Sequence, residues 1–375
     1  MTAVPTATPV TPTPATTTPA GRTVVLHDVL DPLSGGREDI RLEVPGPAGP
    51  PTGVDGAGLQ VLPGLYDADS HLPVLDLGLR ESDRWRALAG GATAVNTALP
   101  WHLVRTRPLE AVTSFLAGTA FPRVLPILSV SDSPSSEGFA GWLREHGAQV
   151  RETWMPTIKL YSNDPFFRAN LEAVWAAGCR AAVYFYDRES FERVATEHAG
   201  PVHFRHVTSR SMADLVAARP DSTCQTSPHF LVELPPGRAG ELHVLPPVPG
   251  GADRDGLRGI VAEQVDLIAS DHNAPVHGND GPGLDSEQFL LPALLHLVAG
   301  GVLDLPTALA KVTTAAAAVF RPAAGLPAAR IVVDPAGTGP AGLWPGQESR
   351  RAAFLGVPLA GTVLAVEAAG TARFL

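Results

Sequence analysis

The chain has 375 residues, of which 45% are hydrophobic and 18% are charged, and its formal net charge is −10. This composition is typical of folded globular proteins and excludes wholesale disorder. The acidic balance argues against a nucleic-acid partner, because phosphate backbones are bound by clustered Lys and Arg. Two cysteines, Cys179 and Cys224, provide no disulfide framework and suit a reducing cytoplasm.

The first 21 residues form a Thr-, Pro- and Ala-rich tract, which predicts a disordered tail. This tract lacks the basic and apolar regions of a signal peptide, and no run of about 18 apolar residues follows it. We therefore expect a cytoplasmic protein without membrane contact. Short β-like runs follow at 23–31 and 40–44, before a Gly- and Pro-rich linker at 45–58.

Short apolar runs then alternate with amphipathic stretches, which is the pattern of repeated βα units. Eight such runs over roughly 250 residues predict an α/β fold of the (β/α)8 TIM-barrel type. Further β-like segments at the end of the chain predict a small flanking β-sandwich, built together with the N-terminal strands. The expected divisions are residues 1–21 for the tail, 22–58 and 326–375 for the two parts of the small β domain, and 59–325 for the barrel. The candidate barrel strands are 60–66, 93–98, 124–129, 157–161, 181–186, 202–207, 222–226 and 266–270.

Polar residues stand where several of these runs end, and active sites of such barrels gather at the C-terminal ends of the strands. Asp69 and His71 end the first run, Lys159 lies in the fourth, His206 is in the sixth and Asp271 follows the last. Together these residues could hold a divalent metal. Taken singly, a His is commonly a hydrogen-bonded structural residue and an Asp a helix cap. Lys159 fits such an explanation less well, because a buried ammonium is costly unless it is paired or modified.

The order of the motifs resembles that of dihydroorotases, allantoinases and hydantoinases, which are metal-dependent cyclic amidohydrolases. The chain is thus identified as a dihydroorotase-like member of that superfamily. The resemblance implies that Asp271 is both a metal ligand and the general base, that Lys159 is carbamylated, and that His206 is a further ligand. The segments that carry the resemblance are LPGLYDADSH at 62–71, GGATAV at 90–95, IKLY at 158–161, HFRHVTS at 203–209, SPHFL at 227–231 and ASDHNAP at 269–275.

Several positions depart from the family pattern, which indicates a partly degenerate metal and substrate site. Asp69 stands in place of the first His of the family's H-x-H pair, and Tyr184 replaces another ligand His. Pro73 stands where dihydroorotases have the Arg that binds the substrate carboxylate.

The resemblance therefore implies one metal ion, Zn²⁺ or Mn²⁺, and a second position that is weak or empty. We expect the ion to be held by Asp69, His71, Lys159 and Asp271. The side chains expected to line the substrate pocket are Tyr184, Tyr186, Trp101, His229 and His272.

Two functions remain open at this point. The first is a hydrolase that opens or closes a C–N bond of a cyclic amide, imide or ureido compound other than dihydroorotate, and that we expect to be a homo-oligomer. The second is a catalytically inactive dihydroorotase-like protein with a structural or regulatory role; such relatives are partners of aspartate transcarbamoylase. The retained His71, Lys159, His206 and Asp271 favour the hydrolase, whereas the lost ligands and substrate contacts favour the inactive protein.

Overall fold

The computed structural model describes residues 21–45, 49–72, 81–117, 122–130, 136–273, 281–323, 325–342, 347–368 and 371–374. Residues 1–20 of the predicted tail (1–21) and Pro73 lie outside these residues, whereas Gly21 belongs to a strand. Within the described part of the chain, every helix is too short or too polar to cross a bilayer.

Fifteen strands and fourteen helices make up this part of the chain. The strands are β1 (Gly21–Leu30), β2 (Arg37–Pro45), β3 (Thr52–Asp55), β4 (Gln60–Pro63), β5 (Leu65–Ser70), β6 (Ala92–Pro100), β7 (Arg123–Val130), β8 (Thr157–Tyr161), β9 (Arg180–Tyr184), β10 (Val202–Phe204), β11 (Thr223–Thr226), β12 (Leu267–Ile268), β13 (Ala329–Pro340), β14 (Pro358–Ala368) and β15 (Thr371–Phe374). The helices are α1 (Glu81–Ala89), α2 (Trp101–Val104), α3 (Leu109–Ala117), α4 (Phe139–Thr153), α5 (Phe167–Ala176), α6 (Arg188–Glu197), α7 (Arg210–Ala217), α8 (Pro228–Leu231), α9 (Arg238–Glu241), α10 (Gly251–Arg258), α11 (Val261–Gln264), α12 (Leu290–Ala299), α13 (Leu305–Lys311) and α14 (Thr314–Phe320).

Strands β5 to β12 form one eight-stranded parallel sheet in which neighbours in the chain are neighbours in the sheet. A bridge between Ser70 and His272 joins the ends of the first and last strands, so the sheet curves into a nearly closed barrel. Helices follow most of the strands, and their apolar faces and the strands form one large buried core. The predicted (β/α)8 barrel is confirmed.

The first predicted barrel strand, 60–66, is wrong in its placement. Its first half, β4, pairs antiparallel with β13 in a different sheet, and the barrel strand is β5. Gly64 separates the two at a point of close approach, where a Cβ atom would lie 2.4 Å from the Thr93 hydroxyl oxygen. Because a glycine is needed for this crossing, one apolar run in the sequence becomes two strands in two sheets.

The flanking unit is a seven-stranded sheet in the order β15-β14-β13-β4-β1-β2, with β3 paired to β1. The N- and C-terminal segments build it together, as predicted. It is one continuous sheet whose end strands, β2 and β15, lie close together, so it folds over a small core of its own. That core contains Val24, Leu26, Ile40, Leu42 and Val332.

Candidate functional site

The five predicted metal ligands lie together at the C-terminal end of the barrel. Asp69 lies in β5 and His71 just after it, Lys159 lies in β8, and His206 and Asp271 follow β10 and β12. His206 and Asp271 have backbone φ angles of 56° and 55°. This left-handed conformation is uncommon for residues other than glycine and is often found at functional sites. Two residues of the candidate site therefore have strained backbone conformations.

Asp69 is the centre of a buried polar network. Its Oδ1 forms an ion pair with the Arg205 guanidinium, and its Oδ2 accepts a hydrogen bond of 2.6 Å from Gln225 Nε2. The three side chains are all buried. Burial lowers the pKa of Arg205 to about 10, so the guanidinium stays charged at neutral pH. Both oxygens of the Asp69 carboxylate are therefore already bound by protein donors.

His206 and His229 are buried imidazoles on two sides of the Asp271 carboxylate. His206 Nδ1 lies 3.5 Å and His229 Nε2 lies 3.7 Å from Asp271 Oδ2. Among the described residues, none forms a hydrogen bond with a ring nitrogen of either histidine. Burial lowers the pKa of His229 to about 3 and, with help from Arg205, holds that of His206 well below its usual range. Both rings are therefore neutral at pH 7, with unshared nitrogen lone pairs.

The pKa of the Asp271 carboxyl group lies close to neutral pH. Burial raises its pKa to about 7, although the positive charges of Arg205 and Lys159 act in the opposite direction. A carboxyl group with this pKa can accept and release a proton near neutral pH. The chemistry that the resemblance implies for Asp271 is therefore compatible with its surroundings.

Lys159 and His71 are paired with each other. Lys159 Nζ lies 2.7 Å from His71 Nε2 and 5.2 Å from the ring centre of Tyr161. Burial, followed by the nearby Lys159 charge, lowers the pKa of His71 well below its usual range. His71 is therefore a neutral imidazole whose Nε2 accepts a hydrogen bond from the Lys159 ammonium.

Tyr184 forms part of the wall beside this pair. Its hydroxyl donates a hydrogen bond of 2.6 Å to the Leu245 carbonyl oxygen, and its ring packs edge-on against His206 with the ring centres 5.0 Å apart. Burial raises the pKa of the Tyr184 phenol. The phenol proton is thus retained and directed at a backbone oxygen, so Tyr184 does not take over the role of the ligand His that it replaces.

A cavity of about 150 Å³ opens beside these residues. The predicted pocket residues Tyr184 and Tyr186 line it, together with Lys159, His71 and Asp271. The other three predicted pocket residues are absent from the lining of this cavity in the described structure. Trp101 packs edge-on against Phe139 in the barrel core, and His229 Nε2 lies 3.7 Å from Asp271 Oδ2. His272 accepts a hydrogen bond from the backbone of Ser286.

Arg205, Gln225 and Asp67 were not among the predicted site residues. Asp67 accepts hydrogen bonds from the backbone and the hydroxyl of Ser270, and so ties β5 to the segment after β12. The sequence contained one signal for the pairing of Arg205 with Asp69. Arg205 is a charged residue inside an apolar run, and Asp69 is a carboxylate where the family has a His. Nothing in the sequence places Gln225 beside them.

No family model matches the chain. A "Dihydroorotase-like protein" of Pseudomonas aeruginosa is 28% identical over 349 residues, which cover 76% of this chain and 78% of the relative. The solved structure of L-hydantoinase (dihydropyrimidinase) from Arthrobacter aurescens superposes with a TM-score of 0.69 at 17% identity and covers 94% of this chain and 97% of that one. The inactive dihydroorotase-like domain of the Chaetomium thermophilum CAD-like multifunctional protein has a TM-score of 0.58 at 15% identity and covers 84% and 96%.

His, Lys and Asp side chains stand together at the C-terminal strand ends of a (β/α)8 barrel. The chain is similar to a dihydroorotase-like protein over 76% of its length and shares its fold with a hydantoinase.

The family is metal-dependent, and the donor atoms of Asp69, His206 and Asp271 lie within 4.8 Å of one another, which is close enough for a metal triad. The rest of the arrangement does not fit the expected centre. Asp69 is bound by Arg205 and Gln225, and His71 Nε2 is bound by Lys159. Three of the four predicted one-metal ligands are therefore held by contacts with other described side chains.

Proposed function

We propose that this chain is a dihydroorotase-like protein without metal-dependent catalysis that has a structural or regulatory role in an assembly with another protein. The observation that carries the proposal is the buried ion pair between Arg205 and Asp69. A divalent ion on Asp69 would have to displace a guanidinium that is already desolvated and paired. Coulomb repulsion between a divalent ion and this fixed charge is strong in a buried site, where the effective dielectric constant is low.

The substitution at Tyr184 supports the same proposal. The phenol hydroxyl donates its proton to the Leu245 carbonyl oxygen, so a second metal position would depend on His206 and a carbamate of Lys159. Lys159 instead forms a hydrogen bond with His71. Metal ligands must present free lone pairs, and these contacts occupy or remove several of them.

The fold has sources of stability that involve no metal. The apolar core of the barrel runs through nearly all of its strands and helices, and hydrogen bonds from Ser270 to Asp67 close the barrel beside the site. A barrel of this kind can persist as a rigid body for binding another protein after its chemistry is lost. The family resemblance implies aspartate transcarbamoylase as the protein that this barrel would bind.

A second candidate function is hydrolysis of a cyclic amide or imide with a single metal ion. The names of the relatives support hydrolysis of cyclic amides as the chemistry of the family. The specific observation in its favour is the set of unpaired buried nitrogens of His206 and His229 beside Asp271, since unsatisfied buried polar groups are rare unless something binds them. In this case Asp271 would move the proton, and the tyrosine-lined cavity would hold the ring.

One experiment separates the two functions. The full chain would be mixed with the aspartate transcarbamoylase catalytic chain of the same genome and analysed by size exclusion with light scattering. In parallel, the metal-loaded chain would be assayed with dihydroorotate, hydantoin, dihydrouracil and succinimide. The proposal predicts a stable complex and no turnover. Turnover that is lost in His206→Ala but retained in Arg168→Ala, a change at an exposed side chain of α5, would establish the hydrolase instead.

A further inference from the structure

Arg205 is a buried cation in contact with Asp69, one of the side chains that could hold a metal. Arg205 is 3% exposed and directly precedes His206 after the end of β10. The guanidinium contacts Asp69 and interacts electrostatically with Asp271 and Asp67. It is therefore a fixed positive charge that interacts with three buried carboxyl groups, and a bound metal ion would supply positive charge to the same groups.

The space around this pair is filled. The small void bounded by Asp69, His71, Lys159 and Arg205, among the described residues, leaves no room for a water molecule. A metal ion could enter this void, on the Asp69 side of the site, only if a side chain moved out. Removal of the Arg205 side chain would both open this space and leave the Asp69 carboxylate without its cation.

The remaining donors are almost in place for an ion. His206 Nε2 lies 3.7 Å from Asp69 Oδ2. Neighbouring ligand atoms of a tetrahedral zinc ion are about 3.3 Å apart, because each lies about 2 Å from the metal. The two donors thus need to move by only a few tenths of an ångström. Asp271 is within reach of the same centre, because the donor atoms of the three residues lie within 4.8 Å of one another.

We propose that Arg205 is a built-in replacement for the metal ion, and that its removal uncovers a latent site in which Asp69, His206 and Asp271 bind one divalent transition metal. This inference rests on the proposed function, because it explains why the native chain has no metal-dependent activity. The ligand class is a borderline ion such as Zn²⁺ or Co²⁺, which accepts a mixed set of imidazole and carboxylate donors.

The test measures metal binding by the full-length protein without reference to activity. Wild type, Arg205→Ala, Arg205→Lys and Arg219→Ala would be titrated with Co²⁺, followed by visible absorption, and their zinc content measured after dialysis. Arg205→Lys keeps the buried charge. Arg219→Ala removes an arginine that binds backbone oxygens of Ala195 and Gly200, away from the site.

We expect Arg205→Ala to bind about one equivalent of metal, at least about 100-fold more tightly than the other three proteins. The added change His206→Ala in that variant should abolish this binding. Tight binding of one equivalent by wild type would overturn the proposal, as would a folded Arg205→Ala protein that binds no metal.

Folding of Arg205→Ala is itself informative. If this variant is unfolded alone and folds when Zn²⁺ is added, the proposal is supported, because the ion then replaces the guanidinium. If it stays unfolded with Zn²⁺ while Arg205→Lys is folded, the proposal is contradicted. Turnover of a cyclic amide by metal-free wild type would contradict the proposed function without contradicting the latent metal site. Failure of the proposed function can therefore be distinguished from failure of this inference.

Discussion

The Asp67 carboxylate accepts a hydrogen bond of 3.0 Å from the backbone nitrogen of Ser270, and a second one from the Ser270 hydroxyl. Asp67 lies in β5, the first barrel strand, and Ser270 lies just after β12, the last. This contact therefore closes the barrel with side-chain hydrogen bonds next to the candidate site. Asp67 is fully buried, and burial raises its pKa to about 7.

Replacement of Asp67 should show how much this closure stabilises the protein. Asp67→Ala leaves the Ser270 donors unsatisfied, and we expect a loss of about 2–4 kcal/mol in the free energy of unfolding. Asp67→Asn keeps a carbonyl acceptor and should cost less. Because the pKa of Asp67 is raised above its unfolded value, the carboxyl group stabilises the fold below pH 4 and loses that effect as the pH rises toward 7. Asp67→Asn should therefore gain stability relative to wild type over that range. Urea unfolding at several pH values measures this. A difference in unfolding free energy between the two proteins that stays constant with pH would contradict it.

The buried pair of Asp69 and Arg205 should be strongly coupled. Asp69→Asn leaves an unpaired guanidinium in the core, and we expect a loss of about 3–5 kcal/mol of stability. The double variant Asp69→Leu with Arg205→Met removes both charges, and its cost should be within about 1 kcal/mol of zero. A double-mutant cycle by urea unfolding measures the coupling. If the separate and combined effects simply add, the two side chains do not form the pair described.

His203 should make stability depend on pH in the opposite sense to Asp67. Gln225 donates its amide to Asp69, so its carbonyl oxygen faces His203 Nε2 at 2.9 Å and requires a proton there, while Nδ1 lies 2.9 Å from the Thr223 hydroxyl. Burial lowers the pKa of His203 to about 4. The unfolded state then takes up the proton more readily, so stability is complete above pH 6.5 and falls by up to about 3 kcal/mol as the pH decreases toward 4.

The comparison of wild type with His203→Gln isolates this effect. The Gln variant lacks the titrating ring, so its disadvantage against wild type should shrink between pH 6.5 and 4. Thermal unfolding in the same buffers provides the measurement. A disadvantage that grows in acid would mean that the folded protein holds His203 in its protonated form.

Lys159 should be an unmodified amine. Its Nζ lies 2.7 Å from His71 Nε2, and an ammonium that donates to this nitrogen has no lone pair with which to take up carbon dioxide. Lys159 and Lys311 are the only two lysines of the chain, so a carbamate can be assigned without ambiguity. We expect no carbamate resonance in ¹³C NMR spectra recorded with labelled bicarbonate. A resonance that disappears in Lys159→Met and persists in Lys311→Met would support the carbamylated lysine implied by the family.

Much of the fold could be predicted from the sequence, because apolar runs with polar strand ends repeat at regular intervals through the barrel. The division of the run at 60–66 could not, because the close contact at Gly64 depends on Thr93 in a neighbouring strand. Strand alternation predicts that Arg205 and His206 point to opposite sides of the sheet. The positive φ of His206 interrupts this alternation, and both side chains approach Asp69. That the candidate ligand side chains lie close together was therefore predictable, whereas the contact of Arg205 with Asp69 was not.

The measurement that tests the central claim most directly is the metal content of the wild-type chain. The protein would be purified without chelator, incubated with Zn²⁺ and bicarbonate, dialysed and analysed by plasma mass spectrometry. The account predicts well below about one equivalent of any transition metal in a folded protein. One or two equivalents that survive dialysis and are lost in His206→Ala and Asp271→Ala would contradict it, and would make the single-metal hydrolase the better description of this barrel.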